Sequence, residues 1–173
     1  MQAIWSIFNP GEAHTSKGVS YGPSATPGGD QPVLKCLFCD VMTGAESGTI
    51  VYENEDLSVF RNIRPYTANH LLVTPRKHIK SIHELSGEDH AQLVESLVAA
   101  GRTALNSLKE GSGDSALMCF HVPPFNSVDH LHLHAIGDPD TLSVVGSMKY
   151  APGNVYCRSA EETCQNLRRK SKL

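Results

Sequence analysis

No run of about 18 unbroken apolar residues occurs in the 173-residue chain, so no membrane-spanning helix is expected. An excess of basic charge is also missing. The 15 Lys and Arg stand against 18 Asp and Glu, for a formal net charge of −3. This argues against broad binding of nucleic acid, which leaves a basic patch. A small anionic substrate stays open, because histidines and backbone donors can bind one locally. The start, "MQAIWSIFNPGEAH", has no basic stretch leading into an apolar one, so no secretory signal is expected. It lacks arginine too, which speaks against a mitochondrial presequence. Cysteine is odd in number, five in all. Without a secretory signal, reduced thiols inside a cell are expected in place of a disulfide framework. No internal repeat is visible. The length suits one domain with a proper core.

What is present begins with a stretch rich in Gly, Pro, Ser and Thr, residues 9–32. It reads as a flexible leader without a core, with order beginning near Cys36. "TIVYE" and "LSVFRNI" are β-rich runs separated by "NED", a hairpin signal. "HLLVTP" is a third strand, stopped at Pro75. Residues 86–111 form one long helix, with Ser86 as cap and Glu88 and Asp89 in the first turn. Leu93, Val94, Leu97, Val98, Ala104, Leu105 and Leu108 keep its apolar period, and Lys109 with Gly111 close it. "ALMCFHV" and "HLHLHAI" are a fourth and a fifth strand. A coil rich in Gly and Pro then leads to "SAEETCQNLRRK", where Ser159 and Glu162 make a capping box for a second helix. Strands outnumber helices and connect mainly by hairpins, so the class is α+β with an antiparallel sheet.

The chemistry gathers around "DHLHLHAIG", residues 129–137. On a strand, alternate side chains share a face, so His130, His132 and His134 point one way and Leu131 and Leu133 the other. On a helix the imidazoles would not converge. Such a row suits a metal clip, or a nucleophile with its acid and base partners. Asn126 and Ser127 precede it as donors for an anion, and His70 and His78 flank the third strand. "CLFC", Cys36 to Cys39, is a C-x-x-C pair on a turn. With two further histidines it allows a Cys₂His₂ zinc site. His121 faces either the site or plain core. His14, His83 and His90 read as solvated, and Cys119, Cys157 and Cys164 as ordinary thiols.

Together these motifs resemble the histidine triad (HIT) family, whose signature alternates three histidines with apolar residues and then adds two more apolar ones. "HLHLHAI" matches every position. The likeness runs from about Cys36 to Tyr150 and includes "CLFCDVMTG", "VYENEDLSVFRNIRP" and "NHLLVTPRKHI" in the family's order. "FHVPPFNSVDHLHLH" further resembles the Hint-type branch of adenosine phosphoramidases and adenylylsulfate-cleaving enzymes. The resemblance implies a five-stranded antiparallel sheet carrying the long helix and divides the chain into a leader, 1–34, a HIT domain, 35–150, and a C-terminal helix and tail, 151–173.

The resemblance also implies a mechanism. His132 attacks the α-phosphorus of a purine nucleotide, and water then releases AMP from the nucleotidyl-histidine. His134 and His70 surround the phosphoryl oxygens, and Ser127 donates to the leaving group. Asn62, Ile63, Asn126, Ser127, His132 and His134 contact the nucleotide. Hint-type chains usually carry Asp where Asn62 stands, so weaker ribose binding is expected. The "HVPPFN" loop is Pro-rich where many relatives are Gly-rich, which leaves the leaving group open. Cys36, Cys39, His78 and His130 are implied as ligands of a structural zinc, with no organic cofactor. A homodimer is implied as well, joined through the long helices and central strands. Two other readings stay open. One is removal of adenylate from nucleic-acid ends, as in aprataxin-like enzymes, against which the acidity counts. The other is an interaction protein with weak activity.

The sequence finishes on Ser171, Lys172 and Leu173. At a free C-terminus this tripeptide is an address read by the peroxisomal import receptor. Peroxisomal residence is therefore the expectation, with the cytoplasm as the alternative.

Overall fold

The computed structural model describes residues 12–26, 29–151 and 153–170. The apolar start and the terminal Ser171–Leu173 lie outside the described residues. Among the described residues no helix is long and apolar enough to cross a membrane.

The main sheet has six antiparallel strands. They are β4 (Ile50–Glu53), β5 (Leu57–Arg61), β6 (His70–Pro75), β7 (Leu117–His121), β8 (Leu133–Ile136) and β9 (Cys157–Ser159), in the order β4-β5-β6-β8-β7-β9. The β4–β5 hairpin forms at "NED" because Asn54 Oδ1 accepts the N–H groups of Asp56 and Leu57. Strand β6 is buried along its whole length, as a central strand between two neighbours must be. The five expected strands are all there, and the sheet gains β9 as a sixth.

One helix, Gly87–Leu108, lies across the sheet. We call it α2, since a short helix α1 (Leu37–Thr43) precedes it. Its buried face, with Ala91, Val94, Leu97, Gly101, Ala104 and Leu105, meets Val59, Leu71, Val73, Leu131, Leu133 and Ala135 in the largest core cluster. Gly101 permits the close approach. A Cβ there would stand 3.1 Å from the Ala135 Cβ and 3.2 Å from the Val73 Cγ2. Ser86 holds the N-cap position, yet its hydroxyl makes no capping bond. Instead its backbone N–H donates to His90 Nδ1.

The structure corrects several expectations. The described residues between His14 and Cys36 are not a coreless leader. They form a three-stranded sheet of β1 (His14–Ser16), β2 (Val19–Tyr21) and β3 (Val33–Cys36). Val19 and Tyr21 are buried there with Phe38, Phe60 and Val128. Composition hid this sheet because its strands are short and sit among turn residues. The "CLFC" pair is not on a turn: Cys36 ends β3 and Cys39 lies in the first turn of α1. The coil expected after β8 holds the helix α3 (Val144–Tyr150) as well as β9. The last helix, α4 (Ala160–Lys170), starts where the capping box predicts, with Ser159 Oγ accepting the Glu162 N–H.

Candidate active site and metal cluster

The triad does not sit wholly on a strand. β8 begins at Leu133, so His130 and His132 lie on the segment leading into it. That segment still alternates. Leu131 and Leu133 enter the core cluster, while His130 and His132 both face Phe38, with ring centroids at 6.1 and 5.1 Å. The rings of His132 and His134 are 5.1 Å apart.

Hydrogen-bond partners assign the ring tautomers. His132 Nδ1 lies 2.6 Å from the His130 carbonyl and must donate to it. The lone pair of His132 is then on Nε2, which is buried with no hydrogen-bond partner. His70 Nδ1 accepts the Tyr66 N–H at 3.2 Å, so its proton is on Nε2 and donates to His134 Nδ1 at 2.9 Å. His134 consequently carries its own proton on Nε2, another buried nitrogen without a protein partner. A lone pair and an N–H donor thus stand on neighbouring rings.

Burial keeps these imidazoles neutral. It pushes His132 down to about 4, opposed by its bond to the His130 carbonyl. Burial, reinforced by His121, lowers His70 to about 4. His134 is held well below the usual imidazole range, by burial first and by the neighbouring histidines next. All three are therefore uncharged near neutral pH.

His121 faces the site from β7. Its ring is 4.4 Å from His134 and stacks on Tyr150 at 5.2 Å. Tyr150 in turn touches His134 and His70 at 5.1 and 5.4 Å. The sequence left His121 undecided and contained no signal for Tyr150, which α3 brings in. Beneath them the sulfurs of Cys119 and Cys157, both free thiols, are 3.3 Å apart.

The remaining predicted contacts divide. The Asn62 amide nitrogen lies 3.1 Å from His70 Nε2, and its oxygen accepts the Arg64 N–H, so Asn62 borders the site. Ile63 beside it is 83% exposed. Ser127 is exposed on the loop before the triad. The Asn126 amide also braces the loop. It donates to the Val128 carbonyl and to Asp129 Oδ1 and accepts from Lys17 Nζ at 2.7 Å. Lys17 also donates to the Pro124 carbonyl. Sequence reasoning missed this brace by folding Lys17 into the leader. The signal was the Lys17-Gly18 pair, both at positive φ in the β1–β2 turn.

A second cluster stands behind the triad. The ligand atoms of Cys36, Cys39, His78 and His130 all lie within 4.8 Å of one another. His130 Nδ1 is 3.3 Å from Cys36 Sγ and 3.6 Å from Cys39 Sγ, and His78 Nδ1 is 3.8 Å from Cys39 Sγ. A tetrahedral ion with bonds of ~2.0–2.3 Å has ligand separations of roughly 3.3–3.8 Å, so the donor set fits a metal. His130 Nε2 lies 2.9 Å from the Pro75 carbonyl and donates to it, which leaves the Nδ1 lone pair facing the thiols. Burial and the neighbouring Cys36 push the Cys39 thiol up to about 12. A cation could hold these sulfurs as thiolates.

Comparisons with known proteins agree with this geometry. The family model described as scavenger mRNA decapping enzyme C-term binding matches residues 35–149. Adenosine 5'-monophosphoramidase HINT3 of Mus musculus is 38% identical over 136 residues, covering 78% of this chain and 82% of the relative. The bifunctional adenosine 5'-phosphosulfate phosphorylase/adenylylsulfatase HINT4 of Arabidopsis thaliana is 33% identical over 105 residues, covering 60% and 70%. Among solved structures, a HIT family hydrolase from Legionella pneumophila Philadelphia 1 superposes with a TM-score of 0.55 at 29% identity. It covers 60% of this chain and 93% of its own. With these matches and an unbroken triad, the chain belongs to the histidine triad family, in its Hint-type branch.

Proposed function

We propose that the chain hydrolyses adenosine nucleotides at the α-phosphorus and releases AMP from substrates of the phosphoramidate or adenylylsulfate type. The observation that carries this reading is the state of His132. Its Nδ1 is pinned to the His130 carbonyl, and its Nε2 has no partner among the described residues. The named activities of the mouse and Arabidopsis relatives support both substrate types.

The geometry orders the steps. The His132 Nε2 lone pair attacks phosphorus, the bond to the leaving group breaks, and a nucleotidyl-histidine forms. The ring gains positive charge, which the Nδ1–H bond to the carbonyl stabilises. His134 Nε2–H donates to the phosphoryl oxygens where negative charge develops, and His70 orients that ring through its own Nε2–H. Ser127, on the exposed loop, donates to the leaving group. Asn62 and Ile63 take the ribose side. Water then attacks the phosphorus, the imidazole departs, and AMP leaves. The test is release of AMP from adenosine phosphoramidate, adenylylsulfate and dinucleoside polyphosphates. His132→Ala should lower turnover by at least about a thousandfold while the circular dichroism spectrum stays that of the native chain. Near-normal turnover by that variant would sink the reading.

We infer that the Cys36, Cys39, His78 and His130 cluster holds a structural zinc ion. Bound there, it would fasten the β3–α1 junction to the segments after β6 and before β8 and lock the strand approach that carries His132. The reading uses no organic cofactor. Metal analysis of native protein should find one zinc per chain, and Cys39→Ser should lose it and lower the Tm. Zinc-free native protein with an unchanged Tm on chelation would count decisively against it.

Ser171, Lys172 and Leu173 support import into peroxisomes through the receptor that reads this tripeptide. A fluorescent fusion at the N-terminus should be punctate and should become diffuse when Leu173 is deleted. A diffuse cytosolic signal from the intact chain would rule it out.

A further inference from the structure

Burial keeps His70 and His134 uncharged, so they bring no fixed positive charge to an anionic nucleotide. The chain as a whole has a net charge of −3. A cation near the site must come from elsewhere, and several basic side chains are already engaged. Lys17 holds the triad loop, Lys109 pairs with Asp138, Arg76 with Glu53, and Arg168 with Glu88 and Glu95.

Lys149 is different. It sits in the last turn of α3, and among the described residues no carboxylate pairs with it. Its ammonium lies 5.0 Å from the Tyr66 ring centre and 5.5 Å from that of Tyr150. Two aromatic faces hold a cation without neutralising it. The same rings form one wall of the site. Tyr150 is 5.1 Å from His134 and 5.4 Å from His70, and Tyr66 is 6.4 Å from His70. The charge is felt there, since Lys149 adds to the forces that disfavour protonation of His70 and His134. If the side chain only covered apolar surface, any unbranched neutral residue would serve as well.

We propose that Lys149 is a specificity residue that recognises substrate charge and so favours adenylates whose leaving group is itself an anion, a sulfate or a phosphate, over those with a neutral amine. This deepens the nucleotide-hydrolase reading and rests on it. Adenylylsulfate carries a charge on its sulfate in addition to the one on its α-phosphoryl group, whereas the phosphoramidate carries only the latter. A cation held on the Tyr66 and Tyr150 rings that wall the site has a further charge to attract in the first.

Binding is measured apart from turnover by using the unreactive His132→Ala chain, with adenylylsulfate and adenosine phosphoramidate as probes in calorimetric titrations. Adding Lys149→Met should weaken adenylylsulfate binding about tenfold, the scale of one partly screened charge pair, and phosphoramidate binding less than about threefold. Lys149→Arg should keep the preference, and added salt should erode it. Equal weakening of both ligands, no weakening of either, or an Arg variant that behaves like the Met variant overturns the proposal. Turnover by the native chain tests the hydrolase reading by itself. If charge-graded binding is seen without AMP release, the hydrolase reading fails, and Lys149 keeps its recognition of ligand charge but not its selection of a leaving group. Absence of binding by both probes overturns the two together.

Discussion

At the residue scale, each imidazole of the site does one job because its other nitrogen is already committed. The His130 carbonyl fixes His132, the Tyr66 N–H fixes His70, and the Pro75 carbonyl fixes His130. Burial makes that order sensitive to acid. His70 has an ordinary value near 6.5 in the unfolded chain and is held at about 4 when folded, by burial and then by His121. Its folded value is depressed, so between the two the unfolded chain takes up the proton more readily. The stability linked to this group is complete above about pH 6.5 and is lost as pH falls toward 4. His70 by itself should account for on the order of 3 kcal/mol of that loss. Urea titrations across the window check this, and a stability that stays flat there contradicts it.

At the element scale, the β1–β2 hairpin is the unexpected part of the site. It lies ahead of the matched family domain at 35–149, yet its tip grips the loop that presents Ser127. Lys17 donates to Pro124 and Asn126, and the Asp129 N–H donates to the Lys17 carbonyl. Lys17→Met removes the two ammonium bonds and keeps much of the stem. The expected cost is about 1–2 kcal/mol, with faster hydrogen exchange across residues 122–129 and slower AMP release. Unchanged exchange in that loop would show that the hairpin is not its brace. On the opposite side of the sheet, α2 gives the strands a rigid backing. Leu97 is fully buried there, so Leu97→Ala should cost about 2–5 kcal/mol in chemical denaturation, without altering the substrate preference of the protein that remains folded.

At the scale of the whole molecule, the C-terminal elements occupy surfaces through which the family resemblance implies a second copy. β9 pairs with the outer edge of β7, and α4 packs along α2, where Ala160, Cys164 and Leu167 join the main core. Arg168 ties the two helices by pairing with Glu88 and Glu95. An edge already paired cannot add another strand, so a partner would have to use a different face. A homodimer of the intact chain, read by analytical ultracentrifugation, would join on such a face, and a chain that stays monomeric at every concentration would count against the expected dimer.

The sequence by itself determined a good deal. Period-2 and helical patterns placed the five expected strands and the long helix, and "NED" and the Ser159 capping box worked through local hydrogen bonds that need no distant partner. Alternation put His132 and His134 on one side of their segment, and the family resemblance, resting on the C-x-x-C pair and the triad, implied Cys36, Cys39, His78 and His130 as a metal-ligand set. The rest depended on which distant segments meet. Short strands such as β1, β2 and β9 have too few residues for a period to show. They exist because β2 finds Phe38 and Val128, and β9 finds the edge of β7. The Asn126 amide nitrogen serves the nearby Val128 and Asp129, and only folding brings Lys17, 109 residues away, to its oxygen. Tyr150 reaches the histidines, with Lys149 over its ring, only because α3 folds back over the sheet. Local propensity is written in neighbouring residues, but hydrogen-bond partners and ring contacts between remote segments form only once burial brings those segments together.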